Sequence, residues 1–182
     1  AVPRYWMGGD VGLTHFLTSM SVLFPEGEQF FVDSVRAVRY HDTLKNDPAM
    51  QKEMSAFIGQ EAMHSKEHEA FNAYMNHFGY DAAWMEKTTR KVIDLKRILR
   101  FVAPDDTKLD LAATCALEHF TATIAAQLLR RTDIQDLMQD PTMLKMWQWH
   151  AVEENEHKAV AYDVYERVYG KGAATYTLRA VG

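Results

Sequence analysis

Three titratable side chains stand at helical spacing towards the end of the chain. His150, Glu154 and His157 occupy positions i, i+4 and i+7, so a helix would place them on one face. The same face continues in both directions through apolar or small residues: Met143, Trp147, Ala161, Val164 and Val168. A solvated helix carries its charges opposite its apolar stripe, whereas these groups interrupt the stripe. A buried carboxylate beside two imidazoles needs a compensating charge, and a metal cation would supply it.

A second apolar stripe, between residues 50 and 75, is interrupted in the same way. Its members alternate at spacings of four and three, which is typical of a seam between packed helices: Met50, Met54, Phe57, Glu61, His64, His68, Phe71 and Met75. Glu61 and His64 repeat the Glu-x-x-His spacing of Glu154 and His157. His68, one turn further along, is predicted to support the site, to face a substrate or to be part of the core.

Two further glutamates are lone charges on otherwise apolar faces. Glu28 shares its face with Phe31, Val32, Val35 and Val38, and Glu118 shares its face with Leu111, Cys115, Ala122 and Ala125. Two lone carboxylates and two Glu-x-x-His pairs, all facing inward, form the ligand set of a dinuclear carboxylate site in a four-helix bundle. Four glutamates would neutralise two divalent cations. Glu26 competes with Glu28 for its role, and a buried ion-pair network without metal is the costly alternative.

Several neighbouring residues of suitable type are predicted to lie outside this site. Glu153 and Glu156 flank the last motif and point to other sides of the helix, where solvent or an ion pair is expected. Cys115 is expected to be a packing residue. The other histidines are expected to be structural or at the surface: His15, His41, His77 and His119.

The segments around these residues resemble two groups of the ferritin-like di-iron carboxylate superfamily. The first is a bacterial family labelled predicted metal-dependent hydrolase, which is similar in Phe24-Pro25-x-Gly27-Glu28-x-Phe30-Phe31, in Gln60-Glu61-x-x-His64-x-x-x-His68 and in Trp149-His150-x-x-Glu153-Glu154-x-Glu156-His157-Lys158. This resemblance covers roughly residues 14 to 170. The label names the family, and the residues themselves indicate no hydrolytic mechanism.

The second group contains the di-iron arylamine N-oxygenases related to p-aminobenzoate N-oxygenase. Its last helix carries His-x-x-x-Glu-x-x-His, in which the extra histidine is a seventh protein ligand, and His150, Glu154 and His157 match this motif. This resemblance implies activation of O2. Together the two resemblances imply seven metal ligands: Glu28, Glu61, His64, Glu118, His150, Glu154 and His157.

Proline and glycine divide the chain into the helices that would hold these residues. Strand-type alternation is nearly absent, so the predicted fold is all-α: a ferritin-like four-helix bundle with additional helices, in a single domain over residues 1–182 with its core at about 25–170. We expect the first long helix to begin near Pro25, with Leu13–Leu23 either a short helix or extended. Further helices are expected at about 49–77, 82–103, 107–131 and 141–170, with a short amphipathic segment at 133–138. The segment 82–103 would pack across the four core helices as part of the long crossover.

Composition narrows the classes of function. The 182 residues suffice for one domain with a substantial core. The net charge of -5, with basic residues scattered among acidic ones, argues against nucleic-acid binding. The single cysteine excludes an internal disulfide framework and a CxxC zinc site, and a reducing, cytoplasmic location is expected. No apolar run approaches the ~18 residues of a membrane span.

We therefore predict a dinuclear metalloenzyme that activates O2 and oxidises a small organic substrate. Iron is the expected metal, with manganese or zinc as alternatives. The expected partners are the substrate, O2 and an external electron donor, because no flavin or nicotinamide motif is present, and a homodimer is compatible with the sequence. Two alternatives remain: a hydrolase in which two cations activate a bridging water, and a non-enzymatic iron-binding or storage protein.

Overall fold

A computed structural model of the chain describes residues 2–98 and 106–170. Within these residues the chain is helical and has no strand beyond one isolated bridge, which confirms the predicted all-α class. The α-helices are α1 Val11–Val38, α2 Pro48–Met75, α3 Ala82–Ile98, α4 Asp106–Arg130, α5 Thr132–Gln135, α6 Pro141–His157 and α7 Val160–Tyr169. α1 packs on α2, α4 packs on α6 and α7, and a contact between α1 and α4 joins the two pairs. The ferritin-like classification of this bundle stays a prediction.

The first helix begins earlier than predicted, because Pro25 lies inside it. Asp10 caps α1 by accepting a hydrogen bond from the Leu13 backbone N–H at 2.8 Å. A proline inside a helix removes one backbone hydrogen bond and costs ~3 kcal/mol or more. The helix nevertheless continues through Pro25, because the turns before it are also packed against the core, through Thr14, Leu17, Thr18, Ser21 and Val22. The predicted start near Pro25 is therefore wrong, and Leu13–Leu23 is helical.

The second helix follows the prediction closely. Asp47 accepts a hydrogen bond from the Met50 backbone N–H at 3.0 Å, and Pro48 occupies the first turn. All eight residues of the predicted stripe are buried. The helix ends in a 3-10 turn, Asn76–Phe78, and Gly79 follows with a φ of 89°, a conformation that suits glycine.

The third helix packs mainly on α1 and also on α2, whereas the prediction placed it across all four core helices. Arg90 fixes it to α1, because its Nε lies 3.0 Å from each oxygen of Glu26. Asn72 of α2 also donates a hydrogen bond to Glu86 Oε1 at 3.3 Å. The predicted helix over 82–103 is confirmed as far as Ile98, and its last residues, with the following Pro104-Asp105, lie outside the described residues.

The segment predicted to form the last long helix forms two helices. α6 ends at His157 and α7 begins at Val160, so the predicted single helix over 141–170 is wrong in its continuity. The inner face persists across the intervening turn, since His157, Ala161 and Val164 are all buried. A sequence pattern of buried positions does not reveal a break in a helix when the residues on both sides of the break still face the core. The predicted segment at 133–138 becomes the short α5 and a turn.

Two apolar clusters fill the bundle, and a polar layer separates them. One cluster includes Phe31, Val35, Met54, Phe57, Leu111 and Val164, and the other includes Trp6, Leu17, Phe71, Met75, Leu128 and Trp147. On each of α1, α2, α4 and α6, one buried glutamate lies in sequence between the two clusters. In the described part of the chain, every helix is too short or too polar to cross a membrane.

Candidate metal centre

The polar layer contains all seven predicted ligands and His68. α1 contributes Glu28, α2 contributes Glu61, His64 and His68, α4 contributes Glu118, and α6 contributes His150, Glu154 and His157. Each of these side chains is at most 3% exposed. They are buried because each takes the place of an apolar residue in a stripe that faces the bundle core.

Six of these residues form two overlapping groups of ligand atoms. In each group, one nitrogen or oxygen atom per residue lies within 4.8 Å of the others. One group is Glu28, His64, His150 and Glu154, and the other is Glu61, His64, Glu154 and His157. The groups share two residues, so two ions held in this way would be neighbours. Glu118 belongs to neither group, but its Oε2 lies 3.3 Å from His157 Nδ1.

Imidazole nitrogens face carboxylate oxygens throughout the layer. His150 Nε2 lies 3.0 Å from Glu154 Oε1. His64 Nδ1 lies 3.8 Å from Glu61 Oε2 and 3.9 Å from Glu154 Oε1. His157 Nε2 lies 3.4 Å from Glu61 Oε1. Glu61 and Glu154 therefore each face two imidazoles, Glu61 through both of its oxygens and Glu154 through Oε1 alone.

Several atoms of the layer are buried without a hydrogen-bond partner among the described residues. They are Glu28 Oε1, both carboxylate oxygens of Glu61 and of Glu118, Nδ1 of His64, and both ring nitrogens of His157. Leaving one buried polar atom unpaired costs about 1–3 kcal/mol, so a fold without a bound ion would not be expected to collect so many at one place. Carboxylate oxygens and imidazole nitrogens are ligands of iron, manganese and zinc. The residues therefore fit a pair of divalent cations.

The carboxylates cannot all be ionised at low energy without a positive partner. Burial raises the pKa of Glu28, Glu61 and Glu118, and repulsion from Glu154 acts in the same direction on all three. Glu154 differs: burial acts to raise its pKa, but the hydrogen bond and the attraction from His150 help to bring the pKa below its usual value. The layer thus takes up either protons or cations.

The imidazoles also differ in the direction of their pKa shifts. Burial, with repulsion from His150 and His157, lowers the pKa of His64 to about 2. Burial also places the pKa of His68 well below its usual range. Both rings are therefore neutral near pH 7, which is the form that binds metal ions. For His157, burial acts to lower the pKa, but the Glu118 carboxylate helps to raise it above its usual value.

Glu153, which was predicted to point elsewhere, contacts the site. Its Oε2 lies 3.1 Å from His64 Nε2, and its Oε1 accepts a hydrogen bond from Trp149 Nε1 at 2.8 Å. The expected ion pair is present, but the predicted direction is wrong, because a glutamate side chain is long enough to reach a ring that lies off its own helix face. Such a carboxylate holds the Nε2–H tautomer of His64 and leaves Nδ1 free for a metal ion. Glu156 is exposed and contacts only Gln60, at 3.4 Å, among the hydrogen bonds of the described residues.

Two hydroxyl groups position carboxylates of the layer. Ser65 donates a hydrogen bond to Glu28 Oε2 at 2.9 Å, and Thr121 donates one to Glu154 Oε2 at 2.8 Å. Each bond leaves the other oxygen of the carboxylate facing the layer. Sequence analysis did not single out either residue, because a small polar residue on a half-buried helix position has no distinctive pattern.

A hydrogen-bonded chain supports His150 from the side away from Glu154. His150 Nδ1 lies 2.7 Å from His68 Nε2, and His68 Nδ1 lies 2.8 Å from the Ser21 hydroxyl. The hydroxyl donates to Asn72 Oδ1 at 2.7 Å. If His150 Nδ1 donates to His68, every donor in the chain has an acceptor. A neutral ring then has its lone pair on Nε2, where a metal ion would bind; without the ion, the 3.0 Å contact with Glu154 requires a proton on Nε2. Of the roles predicted for His68, this geometry favours support of the site.

The remaining candidates lie apart from the layer. Glu26 is bound to Arg90 on the opposite side of α1 and does not replace Glu28. Cys115 is buried in an apolar cluster, in agreement with a packing role. His15, His41 and His77 are exposed, as expected, and His119, which was predicted to be structural, is exposed as well.

An apolar cavity of about 150 Å³ connects the surface of the bundle with the polar layer. Its walls come from α1, α4, α5 and α6, and His150 and Glu154 form part of its lining. Phe24 lies beside them, with its ring 4.8 Å from that of His150. Near the outside, Phe16 is 53% exposed. A small apolar molecule in this cavity would therefore lie against two of the candidate ligands.

Comparison with known proteins gives one result at the level of the family. Neither the curated proteins nor the solved structures include a match to the chain. The first of the two resemblances seen in the sequence is confirmed, and the wider ferritin-like superfamily stays a prediction. A family model matches residues 1–182, and the chain belongs to that family, whose description is predicted metal-dependent hydrolase.

Proposed function

We propose that the chain is a dinuclear metal-dependent enzyme that uses O2 to oxidise a small, mainly apolar substrate. The observation that carries this proposal is the meeting of two features at His150 and Glu154. One is a buried layer of four carboxylates and four imidazoles, and the other is an apolar cavity that ends on that layer.

The layer suits two divalent ions better than one. Four glutamates balance four positive charges, whereas a single ion would leave several buried carboxylates uncompensated. One ion would be held near His150 and Glu28, and the other near His157 and Glu61. Iron is the proposed metal because it binds these ligand types and is redox-active; when bound, a ferrous pair supplies electrons and open coordination positions for O2.

The protein residues would control geometry, protonation and access. Glu153 holds His64 in the tautomer that presents Nδ1, and His68 does the same for Nε2 of His150. Ser65 and Thr121 each fix one carboxylate of the layer, Glu28 and Glu154 respectively. The apolar walls keep bulk water from the layer and orient the substrate against it.

The lining of the cavity favours oxidation over hydrolysis. Hydrolysis of an ester, amide or phosphate develops negative charge on oxygen, and enzymes usually direct hydrogen-bond donors or cations at that charge. Among the described lining residues there is no lysine or arginine. Thr121 is the hydroxyl nearest the layer, and it already donates to Glu154. An apolar carbon is therefore the better partner for this cavity.

Hydrolysis is the second candidate, and the description of the family favours it. Two cations can activate a bridging water and stabilise the transition state without further donors from the protein. In that case zinc or manganese would suffice, and neither O2 nor an electron donor would be consumed.

The test begins with metal content. Protein from iron-supplemented cells is analysed by elemental mass spectrometry, together with Glu154→Ala and with Glu156→Ala as a matched control on an exposed position of the same helix. We expect two iron ions per chain in the wild type and in the control, and a loss in Glu154→Ala. A well-folded wild-type protein without metal would contradict the proposal.

The second step separates the reactions. Anaerobic protein loaded with Fe(II) is mixed with O2, and O2 consumption and absorbance are followed in a stopped-flow instrument. Rapid consumption that Glu154→Ala lacks would support oxidation. If O2 is not consumed, and zinc- or manganese-loaded protein cleaves nitrophenyl esters anaerobically, hydrolysis takes first place. Uptake of iron far beyond two ions per chain would instead indicate storage.

A further inference from the structure

The cavity beside His150 is small and apolar, and these two properties indicate what it can hold. We propose that it binds an uncharged hydrocarbon group about the size of a benzene ring, which is the part of the substrate that reacts. The chemical meaning of this inference rests on the proposed function, whereas the binding itself can be measured without any reaction.

The size of the group follows from the volume. The cavity measures about 150 Å³. Dry protein cavities of roughly this volume, lined by leucine, isoleucine and phenylalanine, bind benzene. A larger planar group would have to displace side chains that belong to the apolar cluster, such as Leu17 and Leu128, which are only 7% and 8% exposed.

The space exists because two wall residues are small. Ala125 on α4 and Ala151 on α6 are both buried and both line the cavity. A leucine at either position would fill much of the volume. These alanines are therefore expected to determine which substrates fit.

The residues that line the cavity indicate that the bound group is uncharged. Apart from Glu154 and His150, which we assign to the metal centre, no titratable side chain of the described residues lines the cavity. A charged group would be buried there without a partner, at high energy. A polar end of the substrate would have to point to the mouth, where Gln127 is exposed.

The first experiment measures binding of fluorobenzene by ¹⁹F NMR to the zinc-loaded protein, in which the metal is redox-inactive. We expect saturable binding in the wild type and at least tenfold weaker binding in Ala125→Leu. The matched control is Ala116→Leu, the same change at a half-buried position of the same helix that does not line the cavity. Equal binding by all three folded proteins would overturn the inference.

A second variant guards against misfolding of Ala125→Leu. Leu17→Ala enlarges the cavity, so it should bind 1-fluoronaphthalene more tightly than the wild type does. If the larger probe gains nothing from Leu17→Ala while the protein remains folded, the proposed position of the ligand is wrong.

A third measurement tests whether the bound ring lies at the metal centre. Replacing zinc by paramagnetic Co(II) should increase the ¹⁹F relaxation rate of bound fluorobenzene several-fold. Unchanged relaxation in the cobalt-loaded protein would show that the probe binds far from the centre, against the inference. The binding results and the O2 results test different proposals. Binding of fluorobenzene without O2 consumption would support the inference about the cavity and contradict the proposed oxidation. O2 consumption without binding would support the oxidation and contradict the inference about the cavity.

Discussion

The side-chain amide of Asn72 donates a hydrogen bond, 3.1 Å long, to the backbone carbonyl of Ser21. This carbonyl lies four residues before Pro25, and in a regular helix the N–H of residue 25 would bind it. Because proline has no N–H, α2 supplies the donor that α1 lacks. The same Asn72 accepts a hydrogen bond from the Ser21 hydroxyl, which contacts His68, so the compensation for the proline is connected to the candidate metal centre.

This relationship predicts an interaction between positions 25 and 72. Asn72→Ala should lower the free energy of unfolding by about 1–3 kcal/mol, because it leaves the buried Ser21 groups unpaired. In a Pro25→Ala background the loss should be smaller, since the new N–H can bind the Ser21 carbonyl. Urea denaturation of the wild type, the two single variants and the double variant measures this coupling.

Asn155→Ala is the control for this cycle. Asn155 also donates to a backbone carbonyl, that of Ala151, at 2.8 Å, but it bonds within its own helix, α6, and has no hydrogen bond to α1 among those of the described residues. Its effect should add to that of Pro25→Ala without coupling. If the effects of Asn72→Ala and Pro25→Ala are also strictly additive, the compensation described here is wrong.

Glu153 is predicted to control metal affinity through His64. In Glu153→Ala the His64 ring loses the carboxylate that orients it, and affinity for metal should fall by about 10–100-fold, as is usual for such partners. Glu153→Gln keeps an oxygen acceptor for Nε2–H and should recover part of the loss. Competition with a chromophoric chelator measures the affinity.

The control for Glu153 is Glu156→Ala, which removes an exposed carboxylate three residues further along the same helix. It should leave metal affinity nearly unchanged. Equal losses in Glu153→Ala and Glu156→Ala would mean that general charge near the site, and not the contact with His64, determines affinity.

The sequence predicted the inward-facing residues well, because burial follows helical periodicity. The polar residues interrupt stripes on α2, α4 and α6, and the direction of a side chain from a helix depends mainly on its position in the repeat. The site residues of these stripes all lie in the polar layer. That they bind metal ions stays a prediction.

What the sequence did not predict depends on contacts between helices. Glu153 reaches His64 from a position off the inward face, and Ser65 and Thr121 support carboxylates that belong to other helices. Pro25 indicated a helix start, because nothing in its neighbourhood reveals that Asn72, distant in sequence, supplies a hydrogen bond. Such long-range partners have no local signal.

His68 is predicted to act on the metal through His150. His68→Leu removes the acceptor for His150 Nδ1–H, so the tautomer that presents Nε2 is no longer favoured and metal affinity should fall at least tenfold. His68→Gln, whose amide oxygen can accept the same hydrogen bond, should retain most of the affinity. A chelator competition assay measures both variants. A role in packing alone would be indicated if His68→Leu bound metal as tightly as His68→Gln.

The last prediction concerns pH in the metal-free protein. Burial raises the pKa of Glu61 well above its usual 4.5, so the folded state keeps a proton that the unfolded state has lost. Its stabilising contribution is therefore complete below about pH 4.5 and is lost as pH rises towards the raised pKa, at up to about 1.4 kcal/mol per pH unit. Glu61→Gln removes this dependence. In the presence of a chelator, the variant should become progressively more stable than the wild type above pH 4.5.

Comparing the wild type with Glu61→Gln separates the pH dependence due to Glu61 from that due to the histidines. His64, whose folded pKa is about 2, contributes stability that is present above its usual 6.5 and is lost as pH falls, and this contribution largely cancels in the difference. Glu53→Gln, an exposed change on the same helix, controls for the substitution itself. Urea denaturation between pH 4.5 and 8 gives the free energies, and parallel curves for the wild type and Glu61→Gln would contradict the prediction. Added metal should reverse the order above pH 6, because cations hold the Glu61 carboxylate ionised in the folded wild type and bind the amide poorly.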